Sequence, residues 1–185
     1  MRVVATGLQA ALLLARGRAD GLSVLGSPPD AAAVARRSFW ALVFCLPAFL
    51  CLHLLDQRAA GGAVGGTARG FAAELLGFVI GWLGFALTSY EVAGLLGRRE
   101  MWPQFITLWN WCNVVQYLML VAAALPGLLG LPDILGQTAW LVALGWALWL
   151  EWFMTGLALS VPGPMAAMLV ILDVTIGLIV AGVTG

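Results

Sequence analysis

Five long apolar runs restrict the fold of this chain more than any other feature. They cover residues 38–55, 71–90, 104–125, 137–160 and 165–183, and each carries very few charged residues. A run of about 20 apolar residues is long enough to cross the hydrocarbon core of a bilayer as an α-helix. The chain is 62% apolar and 10% charged, whereas a soluble domain is about half apolar and a quarter charged. The sequence therefore predicts an all-α polytopic membrane protein with five transmembrane helices.

An amphipathic pattern precedes the first span, over residues 4–25. This segment is too short in apolar residues to cross a membrane, so the fold is predicted to include an N-terminal amphipathic interfacial helix. The alternative is a helix packed on the cytoplasmic end of the bundle. Arg16 and Arg18 follow the first apolar stretch without a small-residue cleavage site, so we expect no cleaved signal peptide. The apolar positions at helical spacing are Leu8, Leu12, Ala15, Ala19 and Leu22.

Residues 27–29, with two prolines, are predicted to break the chain between two parts. The first is a cytoplasmic amphipathic segment at residues 1–29, and the second is a five-helix transmembrane bundle at residues 30–185. Asp30 is predicted to cap the next helix. A glycine-rich loop is predicted at residues 56–70.

All nine basic residues are arginines, and most of them fall before the first span or between the second and third. The positive-inside rule therefore predicts a cytoplasmic N-terminus and, after five spans, a periplasmic C-terminus. The composition, rich in Ala, Gly and Arg and without Lys, indicates a GC-rich bacterial genome, so the membrane is predicted to be the bacterial inner membrane. A formal net charge of zero gives no electrostatic reason to expect nucleic-acid binding.

Two acids interrupt the last two spans, Glu151 and Asp173. No Lys or Arg follows Gln137, so neither acid has a basic partner within its own hairpin. A carboxylate inside a membrane is costly and marks a candidate functional site.

The first half of the third span carries amide and phenol groups that reach a similar depth. At a rise of about 1.5 Å per residue, Asn113, Glu151 and Asp173 all lie about 12–13 Å from the cytoplasmic boundary. A neutral carboxyl can both donate to and accept from an amide, so such a cluster can satisfy its own hydrogen bonds. Three interpretations stay open: interhelical hydrogen bonding, a proton or cation site, and a site for a lipid head group or a partner's residue. The predicted cluster comprises Asn110, Asn113, Gln116, Tyr117, Glu151 and Asp173.

Two smaller patterns accompany this cluster. His53 and Glu74 fall at similar depth near the outer ends of the first two spans, which predicts a simple hydrogen bond between them. Gly77, Gly81 and Gly84 form a small-residue stripe on the second span, which predicts close packing against another helix. The spacing of the cysteines and the single histidine predicts no metal site, and no nucleotide, cofactor or hydrolase motif predicts an enzyme.

The five spans, the proline-containing segment before the first of them and the very short tail resemble the Yip1-type family of five-span membrane proteins. The resemblance covers the layout of the spans. It implies a protein that organises membranes or binds partners, and it carries over no site residue, because the chain has no counterpart of that family's Asp-Leu-Tyr-Gly-Pro motif.

Two functions fit these observations. The favoured interpretation is a non-enzymatic inner-membrane protein that binds lipids, a membrane-protein partner or further copies of itself, without a cofactor. The alternative is a small transporter or a proton- or cation-coupled channel that uses Glu151 and Asp173.

Overall fold

The protein is a helical bundle in the computed structural model, which describes residues 2–26, 30–59 and 68–184. These ranges contain helices and turns but no strand. Five of the helical segments are long and apolar enough to cross a membrane. The prediction of an all-α polytopic membrane protein with five candidate spans is therefore confirmed.

The five spans are longer than the apolar runs that predicted them, because the polar residues that flank each run continue the helix. The first span consists of two helices that meet at Phe39, and its second helix continues through Pro47. The predicted break at residues 27–29 and the middle of the glycine-rich loop, residues 60–67, lie outside the described residues. The helices are α1 (Arg2–Leu14), α2 (Asp20–Leu25), α3 (Ala31–Ser38), α4 (Trp40–Ala59), α5 (Ala68–Leu95), α6 (Trp102–Leu128), α7 (Asp133–Leu159) and α8 (Gly163–Thr184).

Helix α6 lies at the centre of the bundle and packs against α7, α4, α3 and α1. Helix α8 lies between α7 and α5, and α5 in turn approaches α4. We call the end that carries Arg98 and Arg99 the arginine end, and the end that carries His53 and Glu74 the histidine end.

The N-terminal helix α1 packs on the bundle. Ala10, Ala11 and Leu14 have no exposed surface, and they belong to the same core as the residues of α6. The indole of Trp111 lies directly against Gly7, where any side chain would collide with it. Helix α1 therefore packs on the bundle through Ala10, Ala11 and Leu14, while Leu12 remains exposed. Asp30 accepts a hydrogen bond from the Ala33 amide at 2.8 Å, so the predicted cap of α3 is confirmed.

A tight connection fixes α7 against α8. Ser160 ends α7 in the left-handed conformation, at φ 50°, and Gly163 begins α8 three residues later. The Trp152 indole nitrogen donates to the Gly163 carbonyl oxygen at 2.9 Å, which ties the two helices together at the arginine end. Because the connection is so short, α7 and α8 run antiparallel, and residues equally far from it face each other.

The glycine stripe of α5 faces α8, but its members differ in what they do. A side chain at Gly77 would begin 3.0 Å from Val180 and Thr184, and one at Gly84 would begin 3.6 Å from Ile176. No atom lies within 4 Å of the corresponding position at Gly81. The predicted packing role therefore fits Gly77 and Gly84 but is wrong for Gly81, where the two helices leave an open space between them.

We expect Gly77→Leu to lower the free energy of unfolding by about 1–3 kcal/mol, because the new side chain must push Val180 and Thr184 away. Thermal unfolding in detergent measures this change. Gly145→Leu is the matched control, because Gly145 is exposed on α7 with no atom within 4 Å of the added carbon. Equal stability of the two variants would contradict close packing between α5 and α8.

Candidate functional site

Glu151 and Asp173 meet between α7 and α8, and we call them the carboxyl pair. Their side chains are hydrogen-bonded to each other, and the Trp109 indole nitrogen donates to Asp173 Oδ2 at 3.3 Å and also reaches Glu151. Glu151 is buried, with 6% of its surface exposed, whereas Asp173 is half-buried. Glu151 comes nine residues before Ser160 and Asp173 ten residues after Gly163, so the short connection between the helices brings the two acids to one level.

A cavity of about 530 Å³ begins at Asp173 and extends toward the histidine end. From Asp173 to Thr184 the cavity follows α8 for about 16 Å at the helical rise. We call it the aromatic cavity, because five aromatic rings from α4, α5 and α6 form much of its wall, while glycines 81 and 177 give it width. Its lining includes Phe49, Glu74, Gly77, Phe78, Gly81, Trp82, Trp109, Asn113, Tyr117, Asp173, Gly177 and Thr184.

Packed aromatic rings close the aromatic cavity toward the arginine end. The centroid of the Trp109 ring lies 5.1 Å from that of Trp82 and 4.6 Å from that of Phe85. Phe85 also contacts Phe105, and neither phenylalanine has any exposed surface. The carboxyl pair therefore lies at the inner end of a cavity whose other end reaches the edge of the bundle.

Asn110 lies apart from the carboxyl pair. Its oxygen accepts from the Trp82 indole nitrogen at 2.7 Å, and its nitrogen donates to the Ser38 hydroxyl at 2.7 Å. Ser38 in turn donates to the Ala35 carbonyl oxygen. This buried chain joins α3, α6 and α5. The expectation that Asn110 shares one cluster with the acids is therefore wrong, because Trp82 and Ser38 already occupy both ends of its amide.

The other predicted polar residues of α6 divide between the bundle and the aromatic cavity. Gln116 donates to the Ala147 carbonyl oxygen at 2.8 Å, which ties α6 to α7. Asn113 donates to the carbonyl oxygen of Trp109 in its own helix at 2.9 Å, and both Asn113 and Tyr117 line the cavity. Of the four α6 residues in the predicted cluster, Asn113 and Tyr117 are therefore the two that line the cavity together with Asp173.

At the histidine end, the structure brings His53 and Glu74 together. His53 Nδ1 pairs with the Glu74 carboxylate, and His53 Nε2 lies 2.8 Å from the Gln57 amide nitrogen. Glu74 also lines the aromatic cavity, so a second acid stands at its outer end, about 12 Å along α5 from Trp82. The sequence predicted the contact between the two residues but not this position at a cavity.

Two buried oxygens on one face of α7 have no hydrogen-bond partner among the described residues, Glu151 Oε1 and Thr155 Oγ1. Residues four apart in a helix are neighbours, so both oxygens lie beside the carboxyl pair. A buried polar atom without a partner is costly, and it suits a site that takes up a proton, a cation or water.

No group of three or more His, Cys, Asp or Glu side chains that could hold a metal ion occurs in the described ranges. Cys45 and Cys112 are buried as free thiols, and Cys51 is partly buried.

Sequence reasoning missed four aromatic residues of this site: Phe49, Phe78, Trp82 and Trp109. Trp109 lies one turn before Asn113, and that spacing places it on the face of α6 that points to the acids. Trp82 adjoins Gly81 in the sequence, but its hydrogen bond to Asn110 joins residues 28 positions apart and leaves no local signal.

We expect Asn110→Leu and Asn113→Leu to differ in their effect on stability. Asn110→Leu leaves the buried Trp82 nitrogen without a partner and lowers the free energy of unfolding by about 1–2 kcal/mol. Asn113→Leu removes only a hydrogen bond within α6, so it lowers the free energy of unfolding by less than about 0.5 kcal/mol. Thermal unfolding of both variants in the same detergent tests this, and a larger loss for Asn113→Leu would contradict the division of roles.

Comparison with protein-family models, with curated proteins and with solved structures finds no match to this chain. The geometry of the carboxyl pair and the aromatic cavity is therefore the basis for assigning a function.

Proposed function

We propose that this protein is a small membrane carrier in which the carboxyl pair takes up and releases a proton or a cation from the aromatic cavity. The observation that carries this proposal is the position of Asp173, which touches Glu151 on one side and lines the cavity on the other. An acid inside a membrane bundle that faces a cavity typically marks a pathway for ions or substrate.

The contact between the two acids defines what the pair can exchange. A hydrogen bond between two carboxyl oxygens requires one proton, because each oxygen without a proton is only an acceptor. Removing that proton would leave two negative charges in contact inside the bundle, where no arginine of α7 or α8 exists to compensate them. A cation that enters the cavity can take the place of the proton, so uptake of one and release of the other are coupled.

The predicted orientation gives this exchange a direction. With the arginine end in the cytoplasm, as the distribution of arginines predicts, the aromatic cavity faces the periplasm of a bacterial inner membrane. The packed rings of Trp82, Phe85 and Trp109 then separate the carboxyl pair from the cytoplasm.

Binding of a membrane-protein partner, of lipid or of further copies stays a prediction from the sequence, as does the resemblance to Yip1-type proteins. The carrier is preferred because partner binding does not require two acids in contact at the inner end of a cavity.

Purified protein in vesicles tests the carrier. We expect a gradient of Na⁺ or of tetraethylammonium to drive proton movement that a trapped pH-sensitive dye reports, and we expect the double variant Glu151→Gln, Asp173→Asn to fall to the level of protein-free vesicles. The physical reason is that amides neither release the shared proton nor balance a cation.

The matched control is the double variant Glu100→Gln, Asp133→Asn, which makes the same two changes at exposed positions outside the cavity. It should keep the wild-type rate. Wild-type rates equal to those of the Glu151→Gln, Asp173→Asn variant under both gradients would overturn the proposal.

A further inference from the structure

We infer that the aromatic cavity binds a lipophilic organic cation, a molecule with one positively charged nitrogen or phosphorus centre that carries aromatic or alkyl groups. This inference rests on the proposed carrier function and names its class of substrate.

The size of the cavity suits such a molecule. Pockets that enclose a small organic ligand have volumes of about 300–1,000 Å³, and the aromatic cavity, at about 530 Å³, falls within that range. Gly81 and Gly177 create this room, because a side chain at either position would extend into open space. A bare metal ion or a proton needs no such volume.

The charges of the cavity select a cation. Asp173 stands at its inner end and Glu74 at its outer end, and none of the described lining residues is an arginine. Next to Asp173, Glu151 holds one carboxyl oxygen that has no partner among the described residues although the side chain is 94% buried, as its 6% exposed surface shows. His53 pairs with Glu74 at the outer end, so the carboxyl pair at the inner end is the group that would repel an anion and stabilise a cation.

The walls of the cavity select an organic group instead of a hydrated metal ion. Cations bind over the faces of Trp, Tyr and Phe rings, and more strongly where water is excluded. The rings of Phe49 and Phe78 stack 4.6 Å apart, and Tyr117 meets Phe78 edge to face at 6.0 Å. Calcium and magnesium ions take six or more oxygen ligands, and this predominantly carbon-lined wall does not provide them.

A lipid acyl chain is the competing occupant, because it fills an apolar cavity of similar width. An acyl chain gains no electrostatic stabilisation from Asp173 or Glu74. On leaving the bilayer for the cavity, it also loses as many apolar contacts with lipid as it makes with the protein. The two acids at the ends of the cavity therefore favour the cation.

Tetraphenylphosphonium is a suitable probe, and tetraphenylborate is its control, because the two ions share one shape and carry opposite charges. Saturable binding to detergent-purified protein, measured by equilibrium dialysis, should occur for the phosphonium and be at least about tenfold weaker for the borate. Detergent micelles without protein give the background for both ions.

Two variants locate the site. Asp173→Asn removes the charge at the inner end and should weaken phosphonium binding about tenfold or more. Gly81→Leu fills the cavity without touching an acid and should weaken it by a similar factor, whereas Gly145→Leu on the exposed face of α7 should bind as the wild type does. Thermal unfolding with and without the phosphonium checks that each variant is folded, so Gly81→Leu keeps the test valid if Asp173→Asn is unstable.

Equal binding of both ions, or unchanged phosphonium binding by Gly81→Leu, would overturn the inference and point to a neutral or lipid occupant. Its failure is distinguishable from that of the carrier. Phosphonium binding without proton movement in vesicles would uphold the cation site and overturn the carrier. Proton movement without phosphonium binding would uphold the carrier and overturn the site for an organic cation.

Discussion

The hydrogen bond between Glu151 and Asp173 determines how the rest of this bundle is arranged. Two carboxyls that meet inside a membrane protein must share a proton or hold a cation between them, because no arginine follows Gln137 to neutralise them. The short connection after Ser160 brings the acids to one level, and the Trp152 contact with Gly163 holds the two helices at that connection. Trp109 then adds the one indole donor that reaches both acids, which requires α6 to present this face to the hairpin. Three helices therefore meet at these two acids, one of them buried and the other half-buried.

The polar side chains of α6 form two sets, one that bonds to neighbouring helices and one that lines the cavity, and their hydrogen bonds show which residue belongs to which set. Asn110 and Gln116 bond to neighbouring helices, so they replace the hydrophobic effect, which gives helices no reason to associate within lipid. Asn113 donates to a carbonyl oxygen of its own helix, and both Asn113 and Tyr117 line the cavity. The same residue type thus joins helices at position 110 and lines the cavity three residues later.

The sequence was sufficient for the number of spans and for the depth of the acids, because both depend on quantities that are fixed along a helix. A rise of about 1.5 Å per residue placed Glu151 and Asp173 at one level, and they touch. Depth does not determine which way a side chain points around the helix axis. The prediction that Asn110 belongs with the two acids was therefore wrong, because its hydrogen-bond partners Trp82 and Ser38 are 28 and 72 residues away in the sequence. For a related reason, the sequence did not predict the open space beside Gly81. A glycine predicts that two helices can approach closely, but only their actual separation shows whether they do so or leave a cavity.

The aromatic cavity opens at the edge of the bundle, so water, lipid or a ligand can fill it. Water suits the inner end, where Asp173 and Asn113 offer polar groups, but it gains little along Phe49 and Phe78. An occupant with a charged centre and an apolar body satisfies both regions at once, which is why the acids and the rings are best understood as parts of one site.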